Sequence, residues 1–220
     1  MIRLIDLCKF YVLNGQRKPV ADHISATFPS KTTVALLGRN GAGKSSLLRM
    51  IAGTMKPDSG KILSTGSISW PVGFAGSFHP DLTGLQNVRF IARIYGVDTD
   101  GLVDAVRGFA GLGLQFNQPL RSYSSGMRSR LAFGVSMAID FDTYLVDEVM
   151  SVGDAAFKEN SLRVLRDRMT RRAAIVVSHS IPMIKEMCEH GAVIENGKMT
   201  YFKDIDEAIR YHLETVNSQA

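Results

Sequence analysis

Short apolar runs alternate with stretches of helical periodicity along most of the chain. Residues 33–37 and 173–177 are runs of strand length that are rich in aliphatic side chains. Between them, Leu85, Val88 and Ile91 recur at the spacing of one helix face. Strand-length runs that alternate with amphipathic helices are typical of an α/β fold built on a largely parallel sheet.

A different pattern surrounds the first of these runs. Before residue 30 the sequence predicts two strands around a turn at Asn14-Gly15, a dipeptide that favours tight hairpins. Residues 61–63 and 67–69 are also strand-like. We expect these segments to form a small antiparallel β layer.

A mostly helical segment interrupts the alternation. Thr83 can cap a helix that runs through Tyr95, and residues 100–109 and 124–139 are helical by pattern. The prediction is one domain over residues 1–220. Residues 1–79 and 140–220 form its α/β core, and residues 80–139 form an inserted α-helical subdomain.

Composition excludes several classes of protein. With 45% hydrophobic and 21% charged residues, the 220-residue chain is neither disordered nor fibrous. Its apolar runs are far shorter than the roughly 18 residues that a membrane span needs. Cys8 and Cys188 are too few for a disulfide framework and predict buried or incidental thiols in a reducing compartment. The N-terminus lacks the pattern of a signal peptide, which favours a cytosolic protein.

A glycine-rich loop follows the first buried strand. Residues 38–45 fit the pattern G-x-x-x-x-G-K-[S/T], between a strand and a helical segment. Consecutive N–H groups of such a loop point inward, and the following helix adds its positive end, so the loop cradles phosphates. Lys44 is predicted to reach the β- and γ-phosphates, and Ser45 to offer its hydroxyl to Mg²⁺. The predicted nucleotide contacts of this segment are Gly38, Arg39, Asn40, Gly41, Ala42, Gly43, Lys44, Ser45 and Ser46.

Two further strands end in side chains suited to phosphoryl transfer. Residues 144–148 form a buried-type strand that ends in Asp147 and Glu148. Because open α/β sheets bind ligands at the carboxyl ends of their strands, Asp147 is predicted to hold Mg²⁺ and Glu148 to orient or deprotonate the attacking water. His179 follows the strand at residues 175–178 and can donate to the γ-phosphate at the same edge.

The net charge of +5 is unevenly distributed. Residues 163–172 contain five arginines and one acid, Asp167. Such a run is typical of a solvated helix face. Binding to nucleic acid, or attraction to anionic lipid headgroups, stays open from the sequence.

These motifs resemble those of the ATP-binding subunits of ABC transporters, over almost the whole chain. Residues 123–128 (Tyr-Ser-Ser-Gly-Met-Arg) look like the family signature, and residues 151–154 (Ser-Val-Gly-Asp) are similar to its D-loop. The resemblance implies a P-loop NTPase core of the RecA-like type that binds ATP and Mg²⁺. It also implies that Tyr11 stacks on adenine and that His179 is the switch histidine.

The same resemblance implies a homodimer with ATP at the interface. Each nucleotide is then held between the P-loop of one subunit and the signature residues Ser124, Ser125 and Gly126 of the other, with Asp154 nearby. Since the chain encodes no span, the resemblance also implies a separate transmembrane permease, contacted through the loop around residues 78–82. The subunit is then peripheral, on the cytoplasmic face of the inner membrane.

Three segments narrow the family. Residues 123–130, 152–157 and 69–73 look like the ATPases of bacterial capsular polysaccharide exporters. O-antigen and teichoic-acid exporters are close relatives and remain the alternative. The implied function is ATP hydrolysis coupled to export of a polysaccharide that the permease handles.

One family feature is missing. Most members have a glutamine after the strand that precedes the helical insertion, where it touches Mg²⁺ and senses the permease. His79 occupies roughly that place here, and Gln86 falls too late, inside the next helix. A histidine cannot offer an amide oxygen, so we do not expect His79 to be catalytic.

Two other functions compete with transport. A soluble ABC ATPase acting on nucleic acid could use the arginine run, but such proteins usually carry two cassettes or long coiled-coil arms. Because this chain has neither feature, we expect no nucleic-acid partner. The second competing function is a P-loop kinase, which would need neither an acid at Glu148 nor the Ser124 element.

Overall fold

The computed structural model describes residues 1–13, 15–73, 76, 78–147 and 155–217. The chain divides into two compact units. Met1–Pro71, Phe141–Glu148 and Met169–Ala220 form the first, and Val72–Asp140 with Val149–Arg168 form the second. Within the described residues, no helix is both long and apolar enough to cross a membrane.

A three-stranded antiparallel sheet belongs to the first unit. It contains β1 (Ile2–Leu13), β2 (Gln16–Phe28) and β4 (Ser59–Ser64), in the order β2-β1-β4. Ile2 pairs with Phe28 on one side and with Ser64 on the other. The predicted antiparallel layer is therefore present for three of its four segments.

The fourth predicted segment belongs to a different sheet, so its assignment to the antiparallel layer is wrong. Residues 67–69 fall largely in β5 (Ile68–Pro71), which pairs in parallel with β6 (Thr143–Asp147). The buried hydroxyl of Ser69 accepts a hydrogen bond from the N–H of Leu145 at 2.9 Å. A local pattern reveals a strand but not its partner, which here lies about 75 residues away.

The main sheet has six strands. Besides β5 and β6 it contains β3 (Thr33–Leu37), β7 (Ala173–Val177), β8 (His190–Glu195) and β9 (Lys198–Phe202). Their order is β5-β6-β7-β3-β8-β9. Only β9 runs antiparallel to its neighbour. All residues of β3 and β7 are buried, as expected of central strands in a parallel sheet. The predicted α/β fold is thus observed.

Three helices accompany these sheets. They are α1 (Lys44–Ile51), α6 (Ile181–Met187) and α7 (Ile205–Asn217). Leu47 and Leu48 of α1 are fully buried in the core that also includes Leu36 of β3. Burying an aliphatic side chain of this size contributes about 1.5–3 kcal/mol, so this packing fixes the start of α1 beside the end of β3.

The second unit is helical. It contains α2 (Gly84–Tyr95), α3 (Thr99–Ala110), α4 (Ser125–Ala138) and α5 (Ala155–Met169). Thr83 caps α2 as predicted, in a reciprocal capping box with Gln86. The rings of Phe109, Phe133 and Phe157 contact one another and join α3, α4 and α5.

The arginine run is engaged in contacts within the chain. Arg163 donates to Asn160, Arg168 pairs with Asp140 at 3.3 Å, and Arg172 pairs with Asp142 at 3.5 Å. Arg163 and Arg168 lie between residues 155 and 169, which form a helix, whereas Arg172 follows the end of that helix. Exposed pairs of this kind contribute little to stability.

Candidate functional site

The phosphate loop lies between β3 and α1, as its sequence motif predicts. Gly38 has a φ of 150°, and a side chain there would meet the carbonyl oxygen of Ile194 at 2.5 Å. Gly43 has a φ of 107°, and a side chain there would collide with Val20. Both positions therefore require glycine, because the loop passes directly against β8 and β2.

The start of α1 carries neither a capping side chain nor an acid. Gly43 is the N-cap residue and makes no side-chain capping bond, and the first turn of α1 contains no acid. A helix start without a capping side chain or an acid is a favourable position for an anion, because the helix dipole is positive there.

Lys44 lies inside the curve of the loop. Its ammonium donates to the carbonyl oxygens of Gly38 at 2.7 Å and of Arg39 at 3.0 Å. The positive charge is therefore centred on the cradle. It also acts on His212 of α7, whose pKa is lowered by burial first and by the Lys44 charge second.

A cavity of about 430 Å³ opens above this loop. Tyr11 of β1 stands at one side of it, with its hydroxyl 3.3 Å from the Ser46 hydroxyl and 3.5 Å from the Met55 sulfur. The structure thus brings Tyr11 together with the predicted phosphate loop. The lining is Tyr11, Lys18, Val20, Asn40, Gly41, Gly43, Lys44, Ser45, Ser46 and Val177.

The predicted magnesium ligands belong to the same sheet edge. Asp147 ends β6, and it pairs in register with Val177, the last residue of β7. The Ser45 hydroxyl lines the cavity, and neither it nor the Asp147 carboxylate has a hydrogen-bond partner among the described residues. Hard oxygen donors of this kind fit Mg²⁺, which binds few protein oxygens and keeps several waters.

The other predicted catalytic groups are described only in part. His179 is exposed and lies two residues after the end of β7. The strand β7 is the neighbour of β3, which precedes the phosphate loop. Glu148 and Asp154 lie outside the residues that the structure describes, as does the whole segment 148–154. Their roles stay predictions.

The signature segment begins a helix in the second unit. Ser124 is the N-cap of α4, and its hydroxyl accepts from the N–H of Met127 at 3.2 Å. Ser124 and Ser125 are exposed, and the first turn of α4 contains no acid. The preceding Tyr123 is buried, and its hydroxyl donates to the carbonyl of Gln115 at 2.7 Å. This helix start is held in place and open to an anion.

The backbone of the loop at His79 is hydrogen-bonded by the side chain of Asn87, which the sequence did not reveal. Asn87 of α2 is only 2% exposed, and its amide nitrogen donates to the carbonyls of His79, Leu82 and Thr83. Gln86, by contrast, is committed to the capping box, where its side chain accepts from the N–H of Thr83 at 2.9 Å. Gln86 therefore has a local role, as its position in the helix predicted.

Lys18 and Val20 also line the cavity, although neither belongs to a motif in the sequence. In sequence they read as ordinary positions of a β strand. Residues two apart in a strand lie on the same face, so Lys18 and Val20 share one face of β2. That spacing is the one sequence signal that could have predicted their place in the site.

Comparisons with known proteins identify relatives of this chain. The model of the ABC transporter family matches residues 21–151. The polysialic acid transport ATP-binding protein KpsT of Escherichia coli is 45% identical over 212 residues, which cover 95% of each chain. The capsule polysaccharide export ATP-binding protein CtrD of Neisseria meningitidis serogroup B is 42% identical, over 96% of this chain and 98% of that relative.

More distant similarities follow the same line. The O-antigen export system ATP-binding protein RfbB of Klebsiella pneumoniae is 34% identical, over 86% of this chain and 79% of its own. A solved dimeric ATP-binding cassette in a post-hydrolysis state, bound to ADP and Pi, matches with a TM-score of 0.77 at 19% identity. That match covers 93% of this chain and 99% of the solved one, and it confirms the fold.

Proposed function

Because this chain belongs to the ABC transporter family, we propose that it is the ATP-hydrolysing subunit of a bacterial exporter that carries capsular polysaccharide across the inner membrane. The observation that carries this proposal is the near full-length similarity to polysialic acid and capsule export proteins, at 42–45% identity. The similarity to an O-antigen export protein is lower, at 34%. That difference favours a capsule over an O-antigen.

The proposed chemistry uses the edge of the main sheet. The loop amides, the start of α1 and the Lys44 ammonium bind the phosphates, while Tyr11 holds adenine. Ser45 and Asp147 hold Mg²⁺, which neutralises charge that develops on the phosphates. Glu148 orients or deprotonates the attacking water, and His179 donates to the γ-phosphate.

The proposed assembly is a homodimer with two nucleotides at its interface. The exposed start of α4, with Ser124, Ser125 and Gly126, supplies donors to the γ-phosphate held by the partner subunit's loop. Asp154 lies at the same interface. ATP binding then favours the closed dimer, and hydrolysis allows it to open.

The proposed partner is a separate transmembrane permease. The loop around residues 78–82 and the helices beside it form the contact, so the subunit sits on the cytoplasmic face of the inner membrane. The permease handles the polymer, and nucleic acid has no place in this cycle.

A deletion in the host tests the function. Cells that lack this chain should accumulate polysaccharide inside and lose it from the surface, and the wild-type gene should restore export. Lys44→Ala should fail to restore it, because the charge at the phosphates is lost. Lys61→Ala, which removes an exposed lysine of β4, should restore it fully.

The same cells distinguish the two polysaccharide classes. Surface capsule is measured in a washed-cell extract, and O-antigen as a ladder of lipopolysaccharide on a gel. Loss of the capsule with an unchanged ladder is the expected result. Loss of the ladder alone would assign the chain to O-antigen export, and no change in either would contradict the proposal.

A further inference from the structure

Lys18 stands directly opposite Tyr11 across the antiparallel pair of β1 and β2. Side chains of directly opposed residues lie on the same face of such a pair, about 5 Å apart at their Cβ atoms. Both side chains are exposed and both line the cavity above the phosphate loop. A cation thus lies beside the aromatic ring that is proposed above to hold adenine.

The ammonium of Lys18 reaches the middle of the loop. Its nitrogen would lie 3.7 Å from a Cβ atom built on Gly41. Lys18 also lines a second cavity of about 330 Å³, which shares Asn40 and Gly41 with the first. Its side chain therefore borders both cavities, close to the phosphate loop.

This ammonium has no protein partner among the described residues. Two lysines of the same unit are paired with acids: Lys9 binds Asp58 at 2.7 Å, and Lys198 binds Asp22 at 2.7 Å. Glu195 lines the second cavity but is no partner of Lys18. An unpaired cation near Lys44 and the positive end of α1 is favourable once an anion is bound between them.

We propose that Lys18 is a further nucleotide-binding residue that contacts the α- and β-phosphates. The proposal rests on the nucleotide site proposed above. Because Lys18 lies next to Tyr11 and Lys44 lies deeper in the loop, Lys18 faces the phosphates nearer the ribose. The two ammonium groups then approach the phosphate chain from opposite sides, one from the strand and one from the helix.

Titration of the full chain with fluorescent ribose-labelled ADP and ATP tests this. Lys18→Gln should weaken the binding of ADP and of ATP equally, by about 5- to 30-fold. This is the range expected for one charged hydrogen bond that is partly exposed. Lys18→Arg should stay within about twofold of wild type, because it keeps the charge. Lys61→Gln is the matched control on an exposed strand and should bind like wild type. Equal thermal melting of all variants would show that folding is not the cause.

Three results would overturn the proposal. Binding that is unchanged in Lys18→Gln but lost in Lys44→Ala would remove Lys18 while leaving the site intact. A loss for ATP alone would place the contact on the γ-phosphate instead. Absence of nucleotide binding in the wild type would remove the site itself, and this proposal with it.

Discussion

Asn87 bonds both backbone polar groups of His79. Its side-chain oxygen accepts from the His79 N–H at 2.8 Å, and its nitrogen donates to the His79 carbonyl at 3.1 Å. The His79 ring is used locally as well, because its Nδ1 accepts from the N–H of Asp81 at 3.3 Å. The loop that precedes α2 is thus fixed by a buried amide of the helix itself.

Replacing Asn87 by alanine should destabilise the protein markedly. The change removes the acceptor of the His79 N–H and the side-chain donor shared by three loop carbonyls, which keep their backbone donors. We therefore expect the free energy of unfolding to fall by about 1–3 kcal/mol. Urea unfolding measures this. Gln118→Ala, which removes an exposed amide of the same unit, is the control and should change little. A loss below about 0.5 kcal/mol in Asn87→Ala would contradict the role of this amide.

Ser124 offers a way to separate helix capping from nucleotide binding. Ser124→Ala removes the bond to Met127 and should cost about 1 kcal/mol of stability. Ser124→Asp keeps a capping oxygen and should retain stability, yet its charge repels the partner subunit's γ-phosphate. In a Glu148→Gln background, ATP-dependent dimerisation should therefore be lost in Ser124→Asp.

Thr83→Asp is the matched control for this experiment. It places the same charge on another N-cap, that of α2, and should leave dimerisation intact. The two variants are compared by light scattering with and without ATP. If Ser124→Asp dimerised at the same ATP concentrations as the protein with Ser124, this would count against a dimer interface at the start of α4.

The Asp142 carboxylate should make stability depend on acid pH. The Ser67 N–H and then its hydroxyl, at 2.9 and 3.0 Å, lower the pKa of Asp142 below its ordinary value of 3.8. A lowered folded-state pKa stabilises the fold above the unfolded value, and this contribution disappears as the pH falls through the folded value. The stability gap between wild type and Asp142→Asn should be constant from pH 8 to pH 5.

Below about pH 4 that gap should shrink as the wild-type carboxylate becomes protonated. Urea unfolding across this range measures it. Ser67→Ala removes the hydroxyl donor, so the same comparison in that background should show a weaker pH dependence. A gap that widened in acid would refute the assigned cause.

Cys188 should be inert in the folded protein. It is 5% exposed, and burial, with the charge of Glu189, raises the pKa of its thiol to about 12. Since the thiolate is the reactive form, we expect no alkylation by iodoacetamide at pH 8, and complete alkylation in urea. Mass spectrometry of the peptide that contains Cys188 gives the result. Rapid labelling under native conditions would disagree with this burial.

The fold and the site differ in how far sequence could predict them. The phosphate loop follows from local residues, because Gly38 and Gly43 adopt backbone angles that other residues rarely accept. The sequence does not reveal which sheet contains residues 67–69, because Ile68 pairs with Thr143, which is distant in sequence. A short motif determines the backbone conformation of a loop, whereas the partner of a strand depends on the whole fold.

Asn87 and Lys18 were missed for a related reason. In sequence, Asn87 is a polar position on an amphipathic helix, and Lys18 is a polar position on a hairpin. Their importance depends on what the fold places beside them. Asn87 faces the carbonyls of a loop, and Lys18 faces the phosphate cradle.

Phosphate release by wild type and Glu148→Gln, with ATP-dependent dimerisation measured on the same samples, tests the central claim most directly. Hydrolysis by the wild type alone, with the variant trapped as an ATP-bound dimer, is the result that this account predicts. Full hydrolysis by Glu148→Gln, or a variant that binds ATP and stays monomeric, would contradict it.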